Sequence, residues 1–445
     1  MKNGQSHGLI ISGMQSSGGK TAVTCMLLAA LRERALPVQP FKAGPDFIDP
    51  AYHARFAGVP SRNLDAWLMG ADGLAREAVT FGAGKIAIVE GVMGLFDGGD
   101  VRSDEGSTME LARLFDWPVV LIVPCAKAGR SLAASLRGFI AEAGEGRIAG
   151  VILNEVSGSS HADYLREAIA PLELPVLGAI PICEELACPE RHLGLQASQE
   201  RLLPTPQDLA QLAEKHLDLD RIISMVSPAP PAMNPPLATD KRVHIGIARD
   251  EAFHFYYQSN LDHLRSRGAE LVEFSPIHDA ALPANIDGLI FGGGFPEVFA
   301  DALSQNDSMR SSIRSAVGAG MACYAECGGL MLLASELITL DGRRYPMAGA
   351  IPGAVEMTPR LNHFGYCVCG GLGGANGAEF RGHEFHYSRW QAEDEHANLW
   401  TVRRKRLGSS RREGFAHQNL RASYVHLHFP SSEAVLAPLL KPASL

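Results

Sequence analysis

The stretch "GMQSSGGKT", Gly13 to Thr21, follows directly on the apolar run "LIIS" and decides how the first half of the chain is read. Gly13 closes a predicted strand and Lys20-Thr21 open a predicted helix, the setting that a phosphate-binding loop requires. In such a loop the backbone N–H groups between Gly13 and Gly19, Ser17 among them, face phosphate oxygens at the positive end of a helix. Lys20 would add charge and Thr21 would reach a magnesium ion. The spacing departs from the usual form, because five residues rather than four separate Gly13 from Gly19.

Working outward, the next segments are rich in acids near glycine turns. "FKAGPDFIDPAYH" (41–53) carries Lys42, Asp46, Asp49 and His53, and "RNLDAWL" adds Asp65. "IAIVEGVMGLFDGG" (86–99) places Glu90 at the end of an apolar strand and Asp97 in the loop beyond. Ligands of open α/β sheets bind at the carboxyl ends of strands, so these acids are expected to converge on the loop. A single Asp in such a turn is more often a cap or turn former, whereas several beside a phosphate loop point to a site for magnesium and ATP.

The fold class follows from alternation. "GLIIS", "KIAIVEG", "PVVLIVP" and "IAGVILNEV" read as strands, with "TAVTCMLLAALRERA" and "SLAASLRGFIAEA" as helices between them. The pattern restarts with "RVHIGIA", "YYQSNLDHLRSRG", "DGLIFGGG" and "MACYAEC". Strands separated by helices imply parallel sheets with right-handed crossovers, here α/β built twice as two doubly wound domains. Between them, "MVSPAPPAMNPPLATDK" (225–241) holds five prolines and reads as a semi-rigid spacer. The expected division is 1–225, a linker at 226–242, and 243–445. A net charge of −9 argues against a nucleic-acid partner, and no apolar run approaches the length of a membrane span. Eight cysteines without a C-x-x-C pair suit a reduced, cytoplasmic protein.

In the second half, "ACYAECGGLMLLASEL" (322–337) reads as strand, abrupt turn and helix, with Cys327 at the turn. A thiol there stands clear of the sheet near the N–H groups of a helix start, the position of a nucleophile. Cys323, four residues earlier, reads as structural. The glycine turn of "DGLIFGGGFPE" (287–297) offers N–H donors for an oxyanion. "SYVHLHFP" (423–430) supplies His426 and His428, either of which could be the base, and "RGHEFHYS" (381–388) adds His383 and His386. Four histidines invite a metal reading, but no carboxylate or thiolate completes a recognisable ligand spacing.

"GPDFIDPAYH", "NLDAWL", "VEGVMGLFDG" and "PERHLGL" (189–195) resemble segments of the cobyrinic and hydrogenobyrinic acid a,c-diamide synthase family. "GGGFPE", "AECGGLM", "RGHEFHYS" and "SYVHLHF" resemble class I glutamine amidotransferase domains of the corrin-amidating subtype. The resemblance implies a P-loop, dethiobiotin-synthetase-like domain, whose branch shares the odd loop spacing, followed by a flavodoxin-like amidotransferase domain. It implies ATP- and glutamine-dependent amidation of corrin carboxylates with magnesium as cofactor, and it leaves a homodimer open. By resemblance Lys20 and Thr21 take the phosphate and magnesium positions and Glu90 the second magnesium position. Lys42, Asp46, Asp49 and Asp97 fall near the reacting carboxylate, and Asn154 falls where relatives read adenine. Cys327 carries over as nucleophile and His426 as its partner, with His428 still open on periodicity. Two departures stand out: Pro124-Cys125 replaces the family's aspartate after "VVLIV", and no acid follows His426, so no third triad member is named. The competing readings are the same chemistry on another tetrapyrrole or later corrin, and a nucleotide-dependent binding protein with an inert glutaminase half.

Overall fold

A computed structural model of the chain describes residues 7–183, 204–230, 243–371, 378–392, 396–405 and 408–441. They divide into two compact units, essentially one on each side of 231–242. The first is built on seven strands: β1 (Gly8–Gly13), β2 (Val38–Ala43), β3 (Arg62–Leu64), β4 (Ile86–Gly94), β5 (Val119–Pro124), β6 (Ile148–Val156) and β7 (Val176–Pro181). Their order is β3-β2-β4-β1-β5-β6-β7, and every pairing is parallel. Helices cover both faces, so β1 and β5 read as nearly unbroken apolar runs instead of alternating ones.

The chain leaves β1 toward β2 and β3, then returns past it to β5, β6 and β7. That reversal makes the carboxyl ends of β1 and β4 a topological switch point, where a crevice opens. Helix α1 (Lys20–Glu33) starts there and buries Val23 through Leu31 against the sheet and against Leu209, Ala210 and Ala213 of the helix Pro206–His216. α2 (Asp49–Ala57) follows β2 and begins at the same end.

The linker expected at 226–242 starts later than the prolines suggest. Val226 is buried in the first unit's core, and Ala229 bridges Ala83 through bonds with Gly84 and Lys85, each 2.9 Å. Residues 226–229 therefore belong to the first unit, because their backbone groups are already paired there. Residues 231–242 of that linker, and "PERHLGL", lie outside the described residues.

The second unit carries a six-stranded sheet ordered Ala269–Phe274, Val243–Ala248, Gly288–Phe291, Ala322–Glu326, Leu420–Ser423 and Phe415–His417. The first five strands run parallel, and the last is antiparallel at the edge. Three further sheets lie among the described residues of this unit. One is a five-stranded antiparallel sheet running from Ser410–Glu413 through His363–Gly371 to His426–Leu427, with His383 directly opposite His426. Among the described residues no helix is long and apolar enough to cross a membrane.

Candidate active sites of the two units

Sheet register explains the first cluster. β2 pairs with β4 so that Lys42 lies opposite Glu90, and both side chains are buried beside the start of α1. Lys42 Nζ donates to Asp49 Oδ2 at 2.6 Å, Glu90 Oε1 at 2.9 Å and Gly91 O at 3.0 Å. Thr21 Oγ1 donates to Glu90 Oε1 at 2.7 Å and reaches Asp49 Oδ1 at 3.4 Å. His53 completes the cluster from α2, with Nε2 on Glu90 Oε2 at 2.5 Å and Nδ1 near Ser61 Oγ at 3.3 Å.

Two buried carboxylates beside one ammonium explain the electrostatics. Burial works against the charge on Lys42, yet Asp49, Glu90 and Asp46 outweigh it and hold the ammonium above its ordinary pKa. Burial and Asp49 push Glu90 up, and Lys42 with His53 bring it below the usual carboxylate range. The donors facing Thr21 are all oxygens, a hydroxyl and two carboxylates, which is the ligand chemistry of a hard cation such as magnesium.

The loop beside this cluster is open at Gln15, Ser16 and Ser17, while Lys20 is buried and donates to Gln15 O at 3.1 Å. Gly19 has φ of 88°, and a Cβ there would sit 2.1 Å from Asn154 Nδ2. Asn154 itself donates from Nδ2 to Gly18 O at 3.1 Å, so its amide holds the loop from beneath. Asp46 is a cap: its Oδ1 accepts from Ile48 N at 2.7 Å and Asp49 N at 3.0 Å, which fixes the entry into α2. Asp97 is exposed at the rim, with Oδ2 accepting from Gly94 N at 2.9 Å. Cys125, where the family's aspartate is replaced, is buried with its thiol on Val123 O at 3.2 Å and is pushed up to about 12 by burial.

In the second unit Cys327 adopts φ 47° and ψ −103°, a strained conformation for a residue with a side chain. Its N–H donates to Ser423 O at 2.7 Å, which pins the turn to the neighbouring strand. The helix Gly328–Leu333 starts directly against the glycine turn: a Cβ on Gly328 would lie 3.1 Å from Gly294 N. Tyr256 holds that turn, its hydroxyl accepting from Gly292 N at 2.8 Å and donating to Ala248 O at 2.6 Å. Backbone donors from both segments thus gather beside the thiol, as an oxyanion site needs.

His426 hydrogen-bonds the Cys327 side chain, and its Nδ1 donates to Glu326 Oε2 at 3.2 Å. Burial lowers the imidazole pKa, but the bonds and charges of Cys327 and Glu326 lift it to about 10. Glu326 is fixed in turn by Leu427 N at 3.0 Å and Tyr324 Oη at 2.8 Å. His428 points elsewhere, bonding Ser431 Oγ at 2.8 Å. Among the described residues no group of histidines, cysteines and acids is set to hold a metal: His386 stacks on Tyr424 at 3.9 Å, and His383 is pushed down to about 3 by burial and by His426.

The structure therefore brings together Thr21, Lys42, Asp49 and Glu90 in one unit and Cys327 with His426 in the other. Sequence reasoning missed His53 as a bond partner of Glu90 and Glu326 as a bond partner of His426. The available signal for the latter was the "AEC" triplet, in which the acid directly precedes Cys327.

Residues 9–195 match the family model described as CobQ/CobB/MinD/ParA nucleotide binding domain, and 244–434 match the CobB/CobQ-like glutamine amidotransferase domain. The chain is 40% identical over 436 residues to a cobyrinate a,c-diamide synthase of Priestia megaterium, covering 95% of this chain and 94% of that protein. It is 42% identical over 438 residues to one of Syntrophotalea carbinolica, covering 95% of each. A third, from Listeria monocytogenes, is 41% identical over 446 aligned positions, covering 96% of this chain and 97% of that protein.

Proposed function

The chain belongs to the cobyrinate a,c-diamide synthase family, and from that premise we propose that it converts the a and c carboxylates of a cobyrinic acid corrin into amides, using glutamine nitrogen and ATP. The observation that carries the reading is that one chain holds two separate constellations. Cys327–His426–Glu326 suits glutamine cleavage, and Thr21–Glu90–Lys42–Asp49 beside a phosphate loop suits carboxylate activation. The intact thiol–imidazole pair argues against an inert glutaminase.

In the second unit, the thiol proton of Cys327 rests on His426, and the Sγ thiolate attacks the glutamine carboxamide carbon. The tetrahedral oxyanion faces the backbone N–H groups of the Gly293–Gly294 turn and of the helix start at Gly328. His426 returns the proton to the leaving nitrogen, ammonia departs, and a glutamyl thioester remains. Water, deprotonated by His426, then cleaves the thioester to glutamate and restores the thiol.

In the first unit, a substrate carboxylate oxygen attacks the γ-phosphorus of ATP, ADP leaves, and an acyl phosphate forms. Ammonia attacks the acyl carbon and inorganic phosphate leaves, which gives the amide. A free carboxylate is too poor an electrophile for this without activation. Lys20 and the loop N–H groups hold the transferring phosphate. Thr21 and Glu90 would hold magnesium, which when bound neutralises phosphate charge. Lys42 and Asp49 line the same buried site, Asp46 sets their approach through its cap on α2, and the exposed Asp97 stands at the rim for the corrin. Asn154 acts through the loop, by its bond to Gly18.

The test is mass spectrometry of cobyrinic and hydrogenobyrinic acids after incubation with ATP, magnesium and glutamine. Conversion to mono- and diamides is expected for at least one of them. If both acids are returned unchanged while ATP and glutamine are consumed, the substrate assignment is wrong.

A further inference from the structure

Glu297 ends the "GGGFPE" segment, and none of the chemistry above uses it. It lies in a turn closed by Val298 N on Phe295 O at 3.1 Å, immediately after the glycine turn. Pro296, its neighbour, abuts the nucleophile's helix: Pro296 Cδ is 3.0 Å from the position of a Cβ on Gly328. Tyr424 interacts electrostatically with both Cys327 and Glu297, so thiol and carboxyl share the surroundings of one phenol.

Half-buried, the Glu297 carboxyl forms no ion pair or hydrogen bond with another described residue, and its one bond is to its own N–H. Burial pushes it up to about 7. A carboxylate shielded from water and left without a cation is costly, and folding alone gives no return for it. Glutamine carries the missing cation, an α-ammonium three carbons from the carboxamide carbon that Cys327 attacks. We propose that the Glu297 carboxylate receives the α-ammonium of glutamine and makes this unit selective for the amino acid over simple amides. The inference rests on the glutaminase reading above.

A charge-assisted bond of this kind gives strong selection, because a site built for a polar group is left unpaired by an analogue lacking it. The experiment measures ammonia release by the full chain from L-glutamine and from 4-carbamoylbutanoate, which is glutamine without its amino group. The native chain should prefer glutamine by roughly 100-fold or more in kcat/KM. Glu297→Gln should bring the two substrates within about fivefold, chiefly by raising KM for glutamine. Glu297→Asp keeps the charge on a shorter stem, so it should retain a preference with a raised KM. If the native chain releases ammonia from neither compound, the glutaminase reading itself fails. If it cleaves glutamine and Glu297→Gln keeps the native preference, Glu297 does not read the ammonium. Should Glu297→Gln fail to fold, an unchanged glutamine KM in Glu297→Asp overturns the proposal.

Discussion

Replacing Glu326 by Gln tests whether the acid beside the nucleophile works through His426. The imidazole is lifted from 6.5 to about 10 although burial opposes its charge, and Cys327 and Glu326 do the lifting. An equal share for Glu326 is worth about 2 kcal/mol, a lower bound because the two partners also overcome burial. Gln can still accept from Leu427 N, but its amide then turns an N–H toward His426 Nδ1. The ring must respond with the other tautomer, whose Nε2–H can no longer take a proton from Cys327. Glutaminase kcat/KM should therefore fall roughly 30- to 100-fold, and its alkaline limb should move to lower pH by about one to two pH units. The sign follows from the imidazolium, which persists below its pKa and is lost sooner once the carboxylate is gone. The assay is glutamate release between pH 6 and pH 10 at saturating and limiting glutamine, with amidation from added ammonium as the control for folding. A rate within about threefold of native with an unmoved alkaline limb would refute the reasoning.

Cys327→Ser should abolish amidation from glutamine and leave amidation from added ammonia intact. Glu90→Gln, which removes the charge facing Thr21 and Lys42, should depress both by about 100-fold or more, on the order of 3 kcal/mol. Loss of ammonia-dependent activity in the serine variant would sink the two-site scheme. Gly19→Ala forces a left-handed residue to carry a Cβ 2.1 Å from Asn154 Nδ2, so ATP binding by calorimetry should disappear, and Asn154→Ala should restore only part because the backbone strain persists. His383 is held near 3 in the folded state against 6.5 when unfolded, so the unfolded chain binds the extra proton and stability is lost as pH falls through 6.5 toward 3. Between pH 7 and pH 5 this amounts to about 2 kcal/mol, and urea unfolding of His383→Gln should show an acid loss smaller by that amount; an identical loss in both proteins would remove the histidine from the account.

What could be read in advance was whatever the chain encodes locally. The glycine-rich turn between an apolar strand and a helix at Gly13–Thr21, and the strand–turn–helix at Cys327, are set by neighbouring residues, and both appear in the structure where the pattern puts them. The choice between His426 and His428 was not legible, because two residues two apart on a strand share a face by periodicity. The regular strand in fact stops at Leu427, after which His428 turns to Ser431. Glu326 was missed because an acid was sought behind the histidine rather than beside the cysteine. The buried His53–Glu90 bond depends on where α2 packs against β4, which is a tertiary matter that no local pattern carries. The core of the antiparallel sheet of the second unit went unread for a similar reason: His363–Gly371 pairs with Trp400–Arg404, and Phe380–His386 with His426–Leu427, across sequence separations far longer than any hairpin turn.

Glu326 and Cys327 are consecutive residues, whereas His426 arrives from a strand about a hundred residues later. Their spacing is thus fixed covalently, and only the base has to be delivered by folding. During synthesis the ribosome releases the thiol long before the strand that carries the imidazole, and until that strand adds beside Phe380–His386 the cysteine has no proton acceptor at hand. On the proposed mechanism, a nascent or half-folded chain therefore cannot cleave glutamine. On the same mechanism, a chain whose His426–Leu427 strand frays would lose its glutaminase.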